Sequence, residues 1–173
     1  MLTITPRIAL LSGFVGLSCL GGAIALADEA AEYAALAKAL PSAKVKLQQG
    51  LAASESTGRP ISAKFEVEDG HLQLSVYTAK STGFQEVVIN HTTGAVSKAE
   101  TISEADDLKA ANAQAAAMAH AKSSLKAAVD AAEKALPGFR AVSVTPTLKD
   151  RHAVAEVTLL KESAVKSVTE SLE

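Results

Sequence analysis

The feature that most constrains this chain is that it repeats itself. The stretch from Ser42 to His71 has the same length as the stretch from Ser123 to His152. At a constant offset of 81 residues, Arg59 matches Arg140, Ile61 matches Val142, Ser62 matches Ser143 and His71 matches His152. A fixed period with the same order of elements is the signature of a duplicated structural unit. Each unit reads as helix, strand, hairpin, strand. A small sheet with one apolar face needs a cover, and the helix before it supplies one. The expectation is an α+β fold of two modules, residues 28–100 and 101–173, each a helix packed on a small antiparallel three-stranded sheet. A long Ala-rich helix at about 103–136 joins them. Modules of that size have thin cores, so they are expected to pack against each other.

The local patterns carry this reading. "DEAAEYAALAKAL" is an amphipathic helix with acids in its first turn, interrupted at Pro41. Ser42 then caps a second helix that ends near Thr57-Gly58. "ISAKFEVEDGHLQLSVYTA" alternates. Ile61, Ala63, Phe65 and Val67 point one way, and Lys64, Glu66 and Glu68 point outward to water. Asp69-Gly70 between alternating strands is a two-residue hairpin signal. "FQEVVIN" is a third strand. Ser103, with an acid three residues on, marks the next helix start in a loose capping-box pattern. Leu108, Ala111, Ala115, Met118, Leu125, Val129, Ala132 and Leu136 form one apolar seam up to Pro137-Gly138, crossed only by Lys122. A bend or break is allowed near Ser123-Ser124, and Met118 reads as core filling. Strands return in "FRAVSVTPTL", "HAVAEVTLL" and "AVKSVTESL", with a turn at Lys149-Asp150-Arg151.

The N-terminus reads as a targeting segment. Arg7 is followed by the apolar run "IALLSGFVGLSCLGGAIALA", and the small-x-small triplet Ala25-Leu26-Ala27 precedes Asp28-Glu29. Residues 1–27 are therefore read as a signal peptide cleaved after Ala27, which places the protein in the bacterial periplasm. A retained anchor and lipidation at Cys19 are the alternatives, and either is the chain's only expected attachment to a membrane. Cys19 is the single cysteine, so the mature protein has no disulfide, thiol nucleophile or Cys-based metal site. Aromatic residues make up only 3% of the chain and the net charge is −2. Stacking platforms are scarce and there is no basic stripe, which argues against nucleic acid as a partner.

Catalytic signatures are also missing. There is no Gly-rich phosphate loop, His-Glu-x-x-His or Gly-x-Ser-x-Gly in the chain. The expectation is a non-enzymatic protein without a cofactor. His71 and His91 are the candidates for a metal, with Glu68 and Asp69 just before the first; a zinc or copper site needs three or four such ligands converging.

"FQEVVINHTTGAVSKAE", from Phe84 to Glu100, adds a second kind of information. It resembles the ending of PepSY domains, with Asn90, Thr93, Gly94 and Val96 in the places of that family's strand, turn and restart. "ALPGFRAVSV", from Ala135 to Val144, resembles the family's helix stop and first strand. The two stretches lie in a tandem covering about residues 42–100 and 123–173. PepSY domains are small bacterial envelope modules in which a helix precedes an antiparallel hairpin and a final strand. The resemblance implies protein–protein contact, with inhibition or local regulation of a peptidase in the envelope. A metal- or small-ligand-binding and sensing role is the alternative it implies. The physical reading of the motif is a turn: Asn90 bonds nearby backbone, and Thr93-Gly94 offers a residue tolerant of positive φ.

Overall fold

A computed structural model of the chain describes residues 22–173, with side chains described from Asp28 onward. Arg7, Cys19 and most of the targeting segment lie outside the described residues. The cleavage point expected after Ala27 lies within the first helix, α1, Gly22–Ala39. A 3₁₀ turn at Leu40–Ser42 and α2, Leu47–Ser54, follow. Four strands come next: β1 Arg59–Glu68, β2 His71–Lys80, β3 Gly83–Ile89 and β4 Val96–Thr101. The second half has α3, Ala105–His120, and α4, Leu125–Ala135. It ends in β5 Arg140–Lys149, β6 His152–Lys161 and β7 Ala164–Ser171.

The repeat is present throughout. β5, β6 and β7 each start 81 residues after β1, β2 and β3. The β1–β2 and β5–β6 turns each use two left-handed residues, Asp69 (φ 49°) and Gly70 (78°) in one copy, Asp150 (51°) and Arg151 (70°) in the other. β1 carries a bulge between Pro60 and Ser62, and β5 carries it between Ala141 and Ser143. The residue left without a partner is Ile61 in one copy and Val142 in the other, each 1% exposed. The matched Arg-x-Ile/Val-Ser pattern is thus the sequence of a bulge that turns an extra apolar side chain into the core.

Two separate three-stranded modules are not what forms. The strands make one seven-stranded antiparallel sheet in the order β4-β3-β2-β1-β5-β6-β7. β1 and β5 meet through Ala63 opposite Val144 and Lys64 opposite Ser143. Ala63 and Val144 are themselves 81 apart, so each copy contributes the same position to the seam. A residue pairs with its own repeat mate only on a local two-fold axis. Joining the copies there removes the two edges that β1 and β5 would otherwise expose and spreads one core across both.

The long helix is corrected as well. It breaks at Ala121–Ser124 into α3 and α4. The two pieces lie on opposite faces of the sheet. α3 sits on the face of Ser62, whose Oγ donates to Gln114 Oε1 at 2.7 Å. α2 sits on the face of Leu74, against which Gly50 packs so closely that a Cβ there would come within 2.7 Å of Leu74 Cδ2. α4 lies beside α2, with Gln48 Nε2 donating to Asp130 (3.1 Å) and Glu133 (3.0 Å). α1 shares the α3 face, where its Tyr33 bonds Thr158. The expected seam is real: Ala111, Met118, Leu125, Val129 and Ala132 are all buried. Continuous periodicity fails to show the break, because both pieces present an apolar stripe to the same sheet from its two sides.

The caps also differ from expectation. Ser42 lies in the 3₁₀ turn, and Lys46 precedes α2, its N–H donating to Gln49 Oε1 at 2.8 Å. Glu104, not Ser103, precedes α3, without a side-chain cap. Ser124 caps α4, accepting from the Ala127 N–H at 3.1 Å. Asp28 and Glu29 sit inside α1 rather than in its first turn.

Candidate functional site

The Asn90–Gly94 turn is built by the Asn90 side chain and by backbone. Asn90 Oδ1 accepts from the N–H groups of Thr92 (2.9 Å) and Thr93 (3.0 Å). The Gly94 N–H donates to Asn90 O at 2.8 Å, and Gly94 holds φ +79°. Val96, exposed, opens β4 on the far side. Between them, His91 O accepts from the N–H groups of Lys44 (2.9 Å) and Val45 (3.0 Å). The turn therefore ties the α1–α2 connector to the end of the sheet. Its mate does the same: Leu172, 81 residues after His91, accepts through its carbonyl from Lys122 (2.6 Å) and Ser123 (2.9 Å). These bonds give Asn90, Thr93 and Gly94 a structural part in the turn.

The histidines stay apart. His71 is exposed at the start of β2, opposite Glu68. His91 lies beyond the end of β3, at the same end of the sheet, because Ile89 pairs with Leu74. Among the described residues no group of three or more His, Cys, Asp or Glu is placed to hold a metal ion. His152 Nδ1 lies 2.9 Å from Glu173 Oε2. The imidazole is held above its ordinary range by that carboxylate, and the carboxyl is held below its own by the imidazole.

A buried polar layer lies under α3, where the alternation of β1 had pointed to water. Lys64 is 7% exposed and pairs with Glu66. Ser75 Oγ donates to Glu66 Oε1 at 3.0 Å. Glu86 is 7% exposed, and burial, with Glu66 nearby, raises its pKa. Tyr77 is 1% exposed, and burial followed by the charges of Glu86 and Glu66 raises its phenol well above the usual range. These side chains come from three adjacent strands on one face. The signal available in the sequence was that Lys64, Glu66, Tyr77 and Glu86 share that face once the strands are paired. Reading it required knowing that a second helix layer covers it.

Beside this layer is a cleft of about 330 Å³, between α1 and the fork where β1 and β5 part. Ala31, Tyr33 and Leu36 form its roof, and Lys64, Glu66 and Ser143 lie on the sheet side. The fork exists because the β1–β5 ladder is only two residue pairs long.

The sheet has two edges. β4 is short, and its ladder to β3 is bulged between Val88 and Ile89. Its Lys98 and Glu100 pair with each other at 2.7 Å. β7 is eight residues long, paired to β6 in unbroken register from Ala164 to Ser171, and exposed along most of its length. Its mate, β3, has a neighbour on both sides.

No family model matches this chain, and neither the curated proteins nor the solved structures contain a match.

Proposed function

We propose that this is a non-enzymatic envelope protein of the PepSY kind, exported to the periplasm, that works by protein–protein contact and restrains a peptidase there. The observation that supports contact is β7. An unbulged eight-residue strand with no outer neighbour among the described residues offers main-chain donors and acceptors to an extended segment of a partner. Repeat 1 fills the equivalent side of β3 with β4. A peptidase or its precursor that added a strand there would have that segment masked. The test is photo-crosslinking from Ser167 or Thr169 in living periplasm, with mass spectrometry of the product. An envelope peptidase joined to β7, and protected substrate when the purified protein is added, is the expected result. Unchanged proteolysis at saturating protein sinks the peptidase role.

The cleft favours a second reading, a binding module for a small amphipathic ligand. An apolar roof over a few convergent polar groups is the usual form of a small-molecule site. Leu36→Trp would fill it. Ligand-induced shifts of Tyr33 and Lys64 resonances, lost in that variant, would support this reading; their absence across a panel of envelope lipids and metabolites would end it.

A further inference from the structure

β7 carries more than an open edge: its charges are self-complementary. Lys166 and Glu170 lie two residues either side of Val168, on the same side of the strand. An antiparallel pairing of β7 with a second β7, centred on Val168, sets Lys166 opposite Glu170 twice and Val168 opposite itself. Opposite charges directly across a ladder stabilise it, and like charges destabilise it. A parallel pairing sets Lys166 against Lys166 and Glu170 against Glu170. Centring the antiparallel pairing on Lys166 or on Glu170 also sets like charges opposite. The pattern therefore favours the arrangement centred on Val168.

Repeat symmetry shows what β7 lacks. Val168 is the mate of Val87, which is fully buried between β2 and β4. Val168 is only partly buried, and Val165 is 36% exposed. The other edge does not compete. β4 is bulged, which turns an edge away from partners, and its Lys98 and Glu100 already satisfy each other.

We infer that β7 is the self-association surface of this protein, pairing antiparallel with β7 of a second copy about Val168 to make a closed two-fold dimer with a fourteen-stranded sheet. Such a contact is isologous and leaves no further β7 edge for growth. The inference rests on the same open edge as the functional reading, so a second copy and a peptidase segment compete for it, but it does not depend on a peptidase.

The experiment is sedimentation of protein purified from the periplasm of an expression host, across concentrations up to ~1 mM, because an eight-residue edge buries less than a standard interface. The expected result is a monomer–dimer equilibrium. Lys166→Glu and Glu170→Lys each weaken it at least tenfold, and the double reversal restores it while the circular dichroism of all three variants stays native. Val168→Cys oxidises to a disulfide-linked dimer, whereas Thr101→Cys on β4 does not. A protein that stays monomeric at ~1 mM overturns the inference. So does an assembly indifferent to the single reversals, or a folded double reversal that fails to recover. Loss of the dimer with peptidase protection intact separates this inference from the functional reading; loss of protection with the dimer intact separates them the other way.

Discussion

The two copies of the repeat differ most where they would be expected to differ least, at their third strands. β3 and β7 occupy equivalent positions, yet β3 is enclosed between β2 and β4 while β7, among the described residues, has β6 on one side only. Residue 87 in the first is buried valine, and its mate 168 is valine in partial contact with the core. Mates 85 and 166 are glutamine and lysine; mates 89 and 170 are isoleucine and glutamate. β3 pairs with β2 in the same register as β7 with β6, and the side chains suit enclosure in one copy and water in the other. What the copies share identifies what the fold needs: the bulge, the left-handed hairpin turn, and the carbonyl that clamps the helix connector.

The comparison can be broken most forcefully in the core. Leu74 is fully buried against Gly50 of α2, and Leu74→Ala should cost about 2–5 kcal/mol. Because the sheet runs through both copies, urea unfolding of that variant should remain a single transition seen alike by the fluorescence of Tyr33 and Tyr77 and by far-UV circular dichroism. Two separated transitions would show that the copies are independent after all.

A smaller effect separates the two arginines. Arg140 donates to the carbonyls of Leu40 (3.3 Å), Ala43 (3.2 Å) and Val45 (2.7 Å), and its guanidinium lies 5.2 Å from the Phe65 ring centre. Arg59, more exposed, donates to the single carbonyl of Met118. Charged donors to buried acceptors count for more than neutral ones. Arg140→Met should therefore lower stability by about 2–3 kcal/mol and Arg59→Met by about 1 kcal/mol. Equal losses in chemical denaturation would contradict the asymmetry.

The hairpin turns come next. Arg151 holds the left-handed conformation that Gly70 holds in the other copy, at a cost of about 1 kcal/mol for a residue with a Cβ. Arg151→Gly should raise the melting temperature, and Gly70→Arg should lower it by a similar amount. Thermal scans of the pair test whether the turns are energetically as well as geometrically equivalent.

The smallest effect is electrostatic. His152 pairs with Glu173, and the mate of Glu173 is Thr92, so repeat 1 has no such pair. The imidazole pKa is raised, so its contribution is present below its ordinary 6.5 and fades as pH rises through the raised value. The carboxyl pKa is lowered, so its contribution is present above its ordinary 4.5 and fades as pH falls through the lowered value. The pair is complete between those limits. An NMR titration should find His152 titrating late, and Glu173→Gln should return it to the ordinary range.

Much of this architecture was legible in the residues. Asp69-Gly70 marked a hairpin because the turn needs two left-handed positions, and the 81-residue match marked the duplication. The union of the sheets was hidden for a physical reason. Lys64 and Glu66 alternate with apolar neighbours, and alternation normally means one wet face. Here α1 and α3 cover that face, and the charges pair with one another beneath them. The break at Ala121–Ser124 was hidden because a stripe of period 3.6 does not record which side of a sheet it packs on. At the candidate site, the turn residues were visible from Asn90 and Gly94. The open edge was not, because edge or centre is a property of strand order, and strand order is set by the pairing of Ala63 with Val144.

That pairing has a consequence for the engineering of the chain. A position that meets its own duplicate across an axis is one that two identical single copies could also share. The tandem thus has the symmetry of a two-fold dimer of half-length chains. Cut between β4 and α3, the molecule should yield two fragments that find each other through Ala63 and Val144, and each fragment alone should seek its own twin.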